Sequence, residues 1–176
     1  AMRYQNPSIE SAVKNLAARG VTEVLLIPMF PHYAMSSYET AVVRVREVAA
    51  KRAPQIKFTV QPPYFEDADY IAALMASAAD FLKQDYDHLL FSYHGIPERH
   101  LRKSDPTGCH CLAKENCCET DSPARATCYR AQCFATTAAF VKLAGVPREK
   151  YSVSFQSRLG KDPWLKPYTD YELPRL

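Results

Sequence analysis

Apolar residues recur along the chain in two patterns, a helical period of about 3.6 and short near-continuous runs. Ile9, Val13, Leu16 and Ala17 share one helical face. Asn6 suits the cap of that helix, Pro7 its first position and Gly20 its stop. Residues 22–29 centre on Val24-Leu25-Leu26-Ile27 and read as a buried strand. A second helix opens at Ser36 or Ser37 and runs to Arg52, before Pro54. Residues 56–60 make a second strand, closed by Pro62-Pro63. Asp67 caps a third helix with Ile71, Leu74, Met75, Ala78 and Leu82 on one face. Residues 88–93 form a third strand. Residues 96–123 are polar, cysteine-bearing and irregular. A fourth helix covers residues 124–143 and stops at Gly145, and residues 151–155 form a fourth strand.

Alternating helices and strands predict an α/β fold, a parallel sheet with helices on both faces. The irregular cysteine-bearing stretch is an insert in that pattern. In such sheets ligands bind beyond the carboxyl ends of the strands. Those ends read Pro28-Met29-Phe30-Pro31-His32-Tyr33, Gln61-Pro62-Pro63-Tyr64, Ser92-Tyr93-His94-Gly95 and Phe155-Gln156-Ser157-Arg158. Aromatic walls with a few polar groups suit a flat apolar ligand with a reactive centre.

Composition narrows the class. Hydrophobic residues make up 47% and charged residues 23%, the balance of a globular protein, and the net charge is only +3. No Lys/Arg run points to a nucleic-acid partner. The longest apolar run, Val24 through Phe30 with Pro28 inside it, is too short to span a membrane. No secretory leader is evident, so a cytoplasmic location is expected. Ala1-Met2 and the open-ended residues 168–176 read as the ends of a piece cut from a longer chain.

His94 is the first chemical candidate. Neutral imidazole accepts a proton near neutral pH or ligates iron or zinc. Gly95 after it permits a sharp turn and close approach of a ligand. A histidine that only hydrogen-bonds at a strand end fits the same pattern equally well. His32 and His88 read as loop or structural residues, while His100 and His110 border the cysteines and read as solvated loop residues with metal ligation as the alternative. Cys109, Cys111, Cys117, Cys118, Cys128 and Cys133 form the second candidate. All lie in one insert, unlike the spread of a secreted disulfide scaffold. Four thiolates suffice for zinc or an iron–sulfur cluster, and the spacing leaves both open beside free thiols. Cys128 and Cys133 fall on the fourth helix. Tyr33, Tyr38, Tyr64 and Tyr93 are equally well read as pocket lining or core. Arg158 suits a substrate carboxylate or a structural ion pair.

In combination, the motifs resemble the ferrochelatase family. The resemblance runs from Met2-Arg3-Tyr4-Gln5-Asn6-Pro7 through Pro31-His32-Tyr33-Ala34-Met35-Ser36-Ser37-Tyr38 to Ser92-Tyr93-His94-Gly95-Ile96-Pro97. It continues through Phe155-Gln156-Ser157-Arg158-Leu159-Gly160 and Trp164-Leu165-Lys166-Pro167-Tyr168-Thr169-Asp170. It implies a lyase of heme biosynthesis that inserts ferrous iron into a porphyrin, protoporphyrin IX or coproporphyrin III. It implies Rossmann-like, chelatase-type layers. Residues 1–65 would be the later part of a first domain and residues 66–176 the earlier part of a second, with a Cys-rich insert at residues 98–133. His94 is then the active-site histidine and iron contact, and Tyr33 and Tyr38 border the porphyrin. The insert resembles that of family members with an internal 2Fe–2S cluster, implying Cys111, Cys117, Cys118 and Cys128 as ligands, with Cys109 and Cys133 as substitutes. A piece of this extent lacks the membrane-facing lip and the acidic partner of the histidine, so it is expected to be incomplete, and whether it is active alone stays open. Peripheral membrane contact belongs to the longer enzyme. The rival readings are an iron–sulfur or zinc-binding structural module, and a tetrapyrrole chelatase for cobalt or nickel.

Overall fold

Ser8 caps the first helix. Its hydroxyl accepts the Ser11 N–H at 3.1 Å and α1 spans Ile9–Ala18. The expected cap, Asn6, lies outside the helix, because Ser8 offers the same oxygen nearer the apolar face. The computed structural model describes residues 1–176, which gather into two compact units, Ala1–Tyr64 and Phe65–Leu176.

In the first unit β1 (Glu23–Leu26) pairs in parallel with β2 (Lys57–Val60), from Glu23↔Lys57 to Leu26↔Val60. A π-helical turn, Met35–Glu39, leads into α2 (Thr40–Arg52). Val24, Leu26 and Phe58 pack on a core of Ile9, Val13, Val45, Val48, Ala53 and Ile56. β1 is shorter than the predicted 22–29 and is buried on one face only. Gln61 N–H donates to the Leu26 carbonyl, and Pro28 then removes a donor from any continuation. Leu25 and Ile27 point to the other face and stay exposed.

The second unit begins with α3 (Ala68–Leu82), capped as expected by Asp67, whose carboxylate accepts the N–H groups of Asp69 and Tyr70. β3 (Leu89–His94) pairs in parallel with β4 (Tyr151–Gln156), in register from Leu89↔Tyr151 to His94↔Gln156. Leu89, Phe91 and Tyr151 face a core of Phe140, Val141 and Val146, joined by the predicted α3 face of Leu74, Met75, Ala78 and Leu82. The opposite strand face is polar. There Thr169 of the short α6 (Thr169–Glu172) meets the hydroxyls of Ser92 at 3.2 Å and Ser154 at 2.8 Å. The α/β class with parallel strands is therefore as expected, with long helices over one face of each two-stranded sheet. No helix is long and apolar enough to cross a membrane.

Two expectations for the insert are corrected. Residues 96–123 are not wholly irregular, since Glu98–Ser104 form α4, a short helix anchored by the buried Leu101. The helix predicted from residue 124 starts later, as α5 (Tyr129–Ala144), after a 3-10 turn at Pro123–Ala126. Cys128 is its N-cap, not a residue within it. Its Sγ takes the Ala131 N–H at 3.5 Å, the place usually filled by a hydroxyl or carboxylate. Gly145 closes α5 at φ 66°, as its position predicted.

Candidate functional site

His94 is the last residue of β3, and its side chain is exposed at the carboxyl end of the strand. Strand alternation puts it on the polar face with Ser92. The backbone beyond it is held tightly. Gly95 N–H donates to the Gln156 carbonyl at 2.7 Å, Leu165 N–H to the Ile96 carbonyl at 3.1 Å and Glu98 N–H to the Pro163 carbonyl at 2.9 Å. Tyr93 is pinned from the other face, its hydroxyl 2.8 Å from the Thr137 hydroxyl on α5. The Tyr129 hydroxyl donates to the His94 carbonyl at 2.9 Å.

Gly95 is required by this packing. A Cβ there would lie 2.8 Å from the Gln156 carbonyl oxygen and 3.4 Å from the Trp164 ring. Since the first obstacle is backbone, relief means moving β4 or the residue carrying the imidazole. Gly95→Ala is expected to destabilise the protein by about 1–3 kcal/mol, the range for overpacking a close-fitted site. Urea unfolding measures it, and an unchanged midpoint contradicts the packing described.

Four of the six cysteines come together. Cys111, Cys117 and Cys128 are buried and Cys118 is partly so. The Sγ atoms of Cys117 and Cys118 are 4.0 Å apart, and the Arg130 guanidinium reaches both, at 4.0 and 3.7 Å. The Cys118 thiol donates to Cys128, as does Cys111. The Cys118 bond, outweighing the opposing effect of burial, holds Cys128 down at about 6, with further help from the Ala131 N–H. Cys111 is pushed up to about 12 by burial and by the neighbouring Cys128, and Cys118 is raised by the proton it shares with Cys128 and by burial. Low dielectric thus permits one thiolate among crowded sulfurs, and a cation in their midst would relieve the others. No group of three or more His, Cys, Asp or Glu side chains is disposed around one ion position. In donor chemistry the set fits a cluster held by four thiolates, which needs no common point for its sulfurs.

The substitutes stand apart. Cys109 is exposed beside Thr107, and Cys133 is fully buried in the core, where it bonds with Tyr129. His110 is held by its ring at 2.8 Å from the Cys117 carbonyl. The loop itself is organised by Asp105, 8% exposed. Its carboxylate accepts the N–H groups of His110 and Cys111, both at 2.8 Å, and both the N–H and hydroxyl of Thr107. Burial alone would raise this acid, but those donors hold it well below the usual carboxylate range. A cavity of about 540 Å³ opens beside Cys118, Arg130 and Tyr151 and does not include His94. Arg158 lies 2.8 Å from Asp170 with its guanidinium over Tyr168 and Tyr171, the ion-pair alternative of the two weighed for it.

In the first unit, Tyr33 and Tyr38 form a ring pair with centroids 5.9 Å apart. The Tyr38 hydroxyl donates to the Gln61 carbonyl at 2.7 Å. Burial, then the nearby Glu39, pushes the Tyr33 phenol up to about 12. His32 is 8% exposed, and burial lowers it from 6.5 to about 4. Below 6.5 the unfolded chain takes this proton and the folded unit does not. Stability should therefore fall as pH drops from about 6.5 to about 4, by roughly 3 kcal/mol at most. Denaturation at pH 7 and pH 4.5 tests this, and His32→Gln should reduce the acid loss. An equal loss in that variant would exclude His32 as its source.

The comparisons decide the family. The family model described as Ferrochelatase matches residues 1–176, the whole chain. The chain belongs to the ferrochelatase family. A ferrochelatase from Opitutus terrae is 57% identical over 176 residues, covering all of this chain and 51% of that protein. Ferrochelatases from Stutzerimonas stutzeri and Pseudomonas syringae pv. tomato are 48% and 47% identical, again over all of this chain and 52% of each. The chain thus spans about half the length of the curated relatives it matches.

Several residues that organise this region have no clear signal of that role in the sequence. Asp105-Pro106-Thr107-Gly108 carries a readable turn signal in its Asp and Gly. Tyr129, Arg130 and the fully buried Gln132, which donates to the Arg125 and Ala126 carbonyls, carry none, because their partners are set by tertiary packing.

Proposed function

We propose that this chain carries the iron-inserting histidine of a ferrochelatase that places ferrous iron, its substrate metal, in a porphyrin during heme biosynthesis. The observation that supports this most is His94, exposed at the end of β3 on a backbone fixed by Gly95 and Tyr129, in a chain that matches the family throughout. Metal insertion requires two pyrrole protons to leave and iron to shed water. A flat macrocycle keeps its nitrogen lone pairs in the ring plane, and binding contacts that distort it expose them. Neutral imidazole has one free lone pair, so His94 either takes a pyrrole proton or meets the iron at any one moment. A rigid backbone benefits either role, since reach is set by the strand. Tyr33 and Tyr38 are proposed as contacts to the macrocycle. The first unit belongs, on this reading, to the later part of one Rossmann-like domain and the second to the earlier part of another.

Cys111, Cys117, Cys118 and Cys128 are proposed to hold a 2Fe–2S cluster, supported by their convergence and by the N–H donors of Ala131 and Arg130 on sulfur. Such a cluster supplies a one-electron centre and a cross-link of the insert. Six free cysteines suit a reducing, cytoplasmic compartment.

Porphyrin binding separates the enzyme from a metal-binding structural module. Titration of free-base porphyrin with the intact protein should quench its fluorescence to saturation at an equimolar ratio. Absence of saturable quenching by intact protein of the relatives' length would leave the module as the better account.

A further inference from the structure

Helix α5 and its cap carry three things at once. Cys128 caps the helix, Tyr129 bonds the His94 carbonyl at 2.9 Å, and Thr137 bonds the Tyr93 hydroxyl at 2.8 Å. The helix start is itself rigidly held, because the buried Gln132 ties it to the preceding turn through the Arg125 and Ala126 carbonyls. On its far side the peptide after His94 is fixed by the Gly95 bond to Gln156. The His94 carbonyl is therefore clamped between β4 and a helix whose cap is a sulfur of the cysteine site.

We propose that Tyr129 is a positioning residue for His94. Its hydroxyl sets the His94 carbonyl and, through the helix that Cys128 caps, makes metal occupancy of the cysteine site felt at the histidine. The proposal rests on the roles given above to His94 and Cys128. No atom of Tyr129 need touch substrate. Coupling runs through contiguous rigid contacts, namely sulfur to helix cap, cap to adjacent phenol, and phenol to carbonyl. Removing the hydroxyl while keeping the ring breaks the bond to the His94 carbonyl, together with the one to Cys133, and leaves the packing of Tyr129 on the surrounding core in place.

The test is the amide resonance of Gly95, whose peptide group includes the His94 carbonyl, in the wild-type protein and in Tyr129→Phe. In reduced, metal-free protein the variant should move this resonance while those of α1 and β2 stay in place. Cadmium ion, added alone as a thiolate probe, should then shift the Gly95 resonance in the wild type, and the shift should be lost in Tyr129→Phe. An unmoved Gly95 resonance in the metal-free variant overturns the positioning role. A cadmium-induced shift of equal size in both proteins overturns the coupling. If cadmium produces no thiolate absorption in the wild type, the cysteine-site assignment and the coupling fail together, and the metal-free comparison still decides the positioning role.

Discussion

Replacing His94 with alanine in a protein of the relatives' full length should lower the rate of iron insertion by about 10²–10⁴-fold, the range for loss of a positioned proton-transfer group. Porphyrin affinity should be retained. The structure separates these outcomes. His94 is exposed, so trimming its ring opens no cavity. Stability is expected to change by no more than about 0.5 kcal/mol, as for other surface positions. A lost rate with a normal unfolding midpoint then belongs to chemistry. The backbone that holds the histidine keeps the Tyr129 and Gln156 bonds, because those use main-chain atoms that alanine also has. Insertion near the wild-type rate would remove His94 from the mechanism.

Replacing Cys128 with serine should abolish cluster binding. Cys128 is the sulfur to which both Cys111 and Cys118 donate, and the one most readily ionised. Serine removes the thiolate and keeps a helix cap, since its oxygen can take the Ala131 N–H that the sulfur now takes. The helix should persist while the metal is lost. Anaerobically purified protein should be red-brown with iron and sulfide in equal amounts, and Cys128→Ser should be colourless. Cys109→Ser should match the wild type, because that side chain is exposed and away from the other sulfurs. Full iron content in Cys128→Ser, or equal loss in Cys109→Ser, contradicts the ligand set. A colourless wild type holding zinc would replace the cluster with a zinc site of the same thiols.

What was legible in the sequence followed the strength of local signals. The α3 face, its Asp67 cap and the Gly145 stop of α5 were readable because periodicity and cap chemistry act within a few residues. His94 at a strand end was readable too, since Phe91, Tyr93 and the apolar run before them define β3. Three local errors came from competition between similar signals. Ser8 displaced Asn6 as a cap, and Pro28 cut β1 short. Cys128 became a cap where a helical residue was expected. The short α4 was hidden because seven largely polar residues with one buried leucine carry no period. Spacing alone left the cysteines undecided among cluster, zinc and free thiols. Their convergence needs both the local turn in which Asp105 takes the N–H groups of His110 and Cys111 and the tertiary packing that brings this loop to Cys128 at the start of α5. Tyr129 and Arg130 were invisible for the same reason.

The most direct test of the central claim is the reaction itself. Intact protein of the relatives' length, mixed anaerobically with ferrous iron and free-base porphyrin, should convert the porphyrin absorption to that of the metallated ring, with two protons released per ring. Conversion no faster than in a protein-free control, by a preparation shown to bind the porphyrin, would contradict the account.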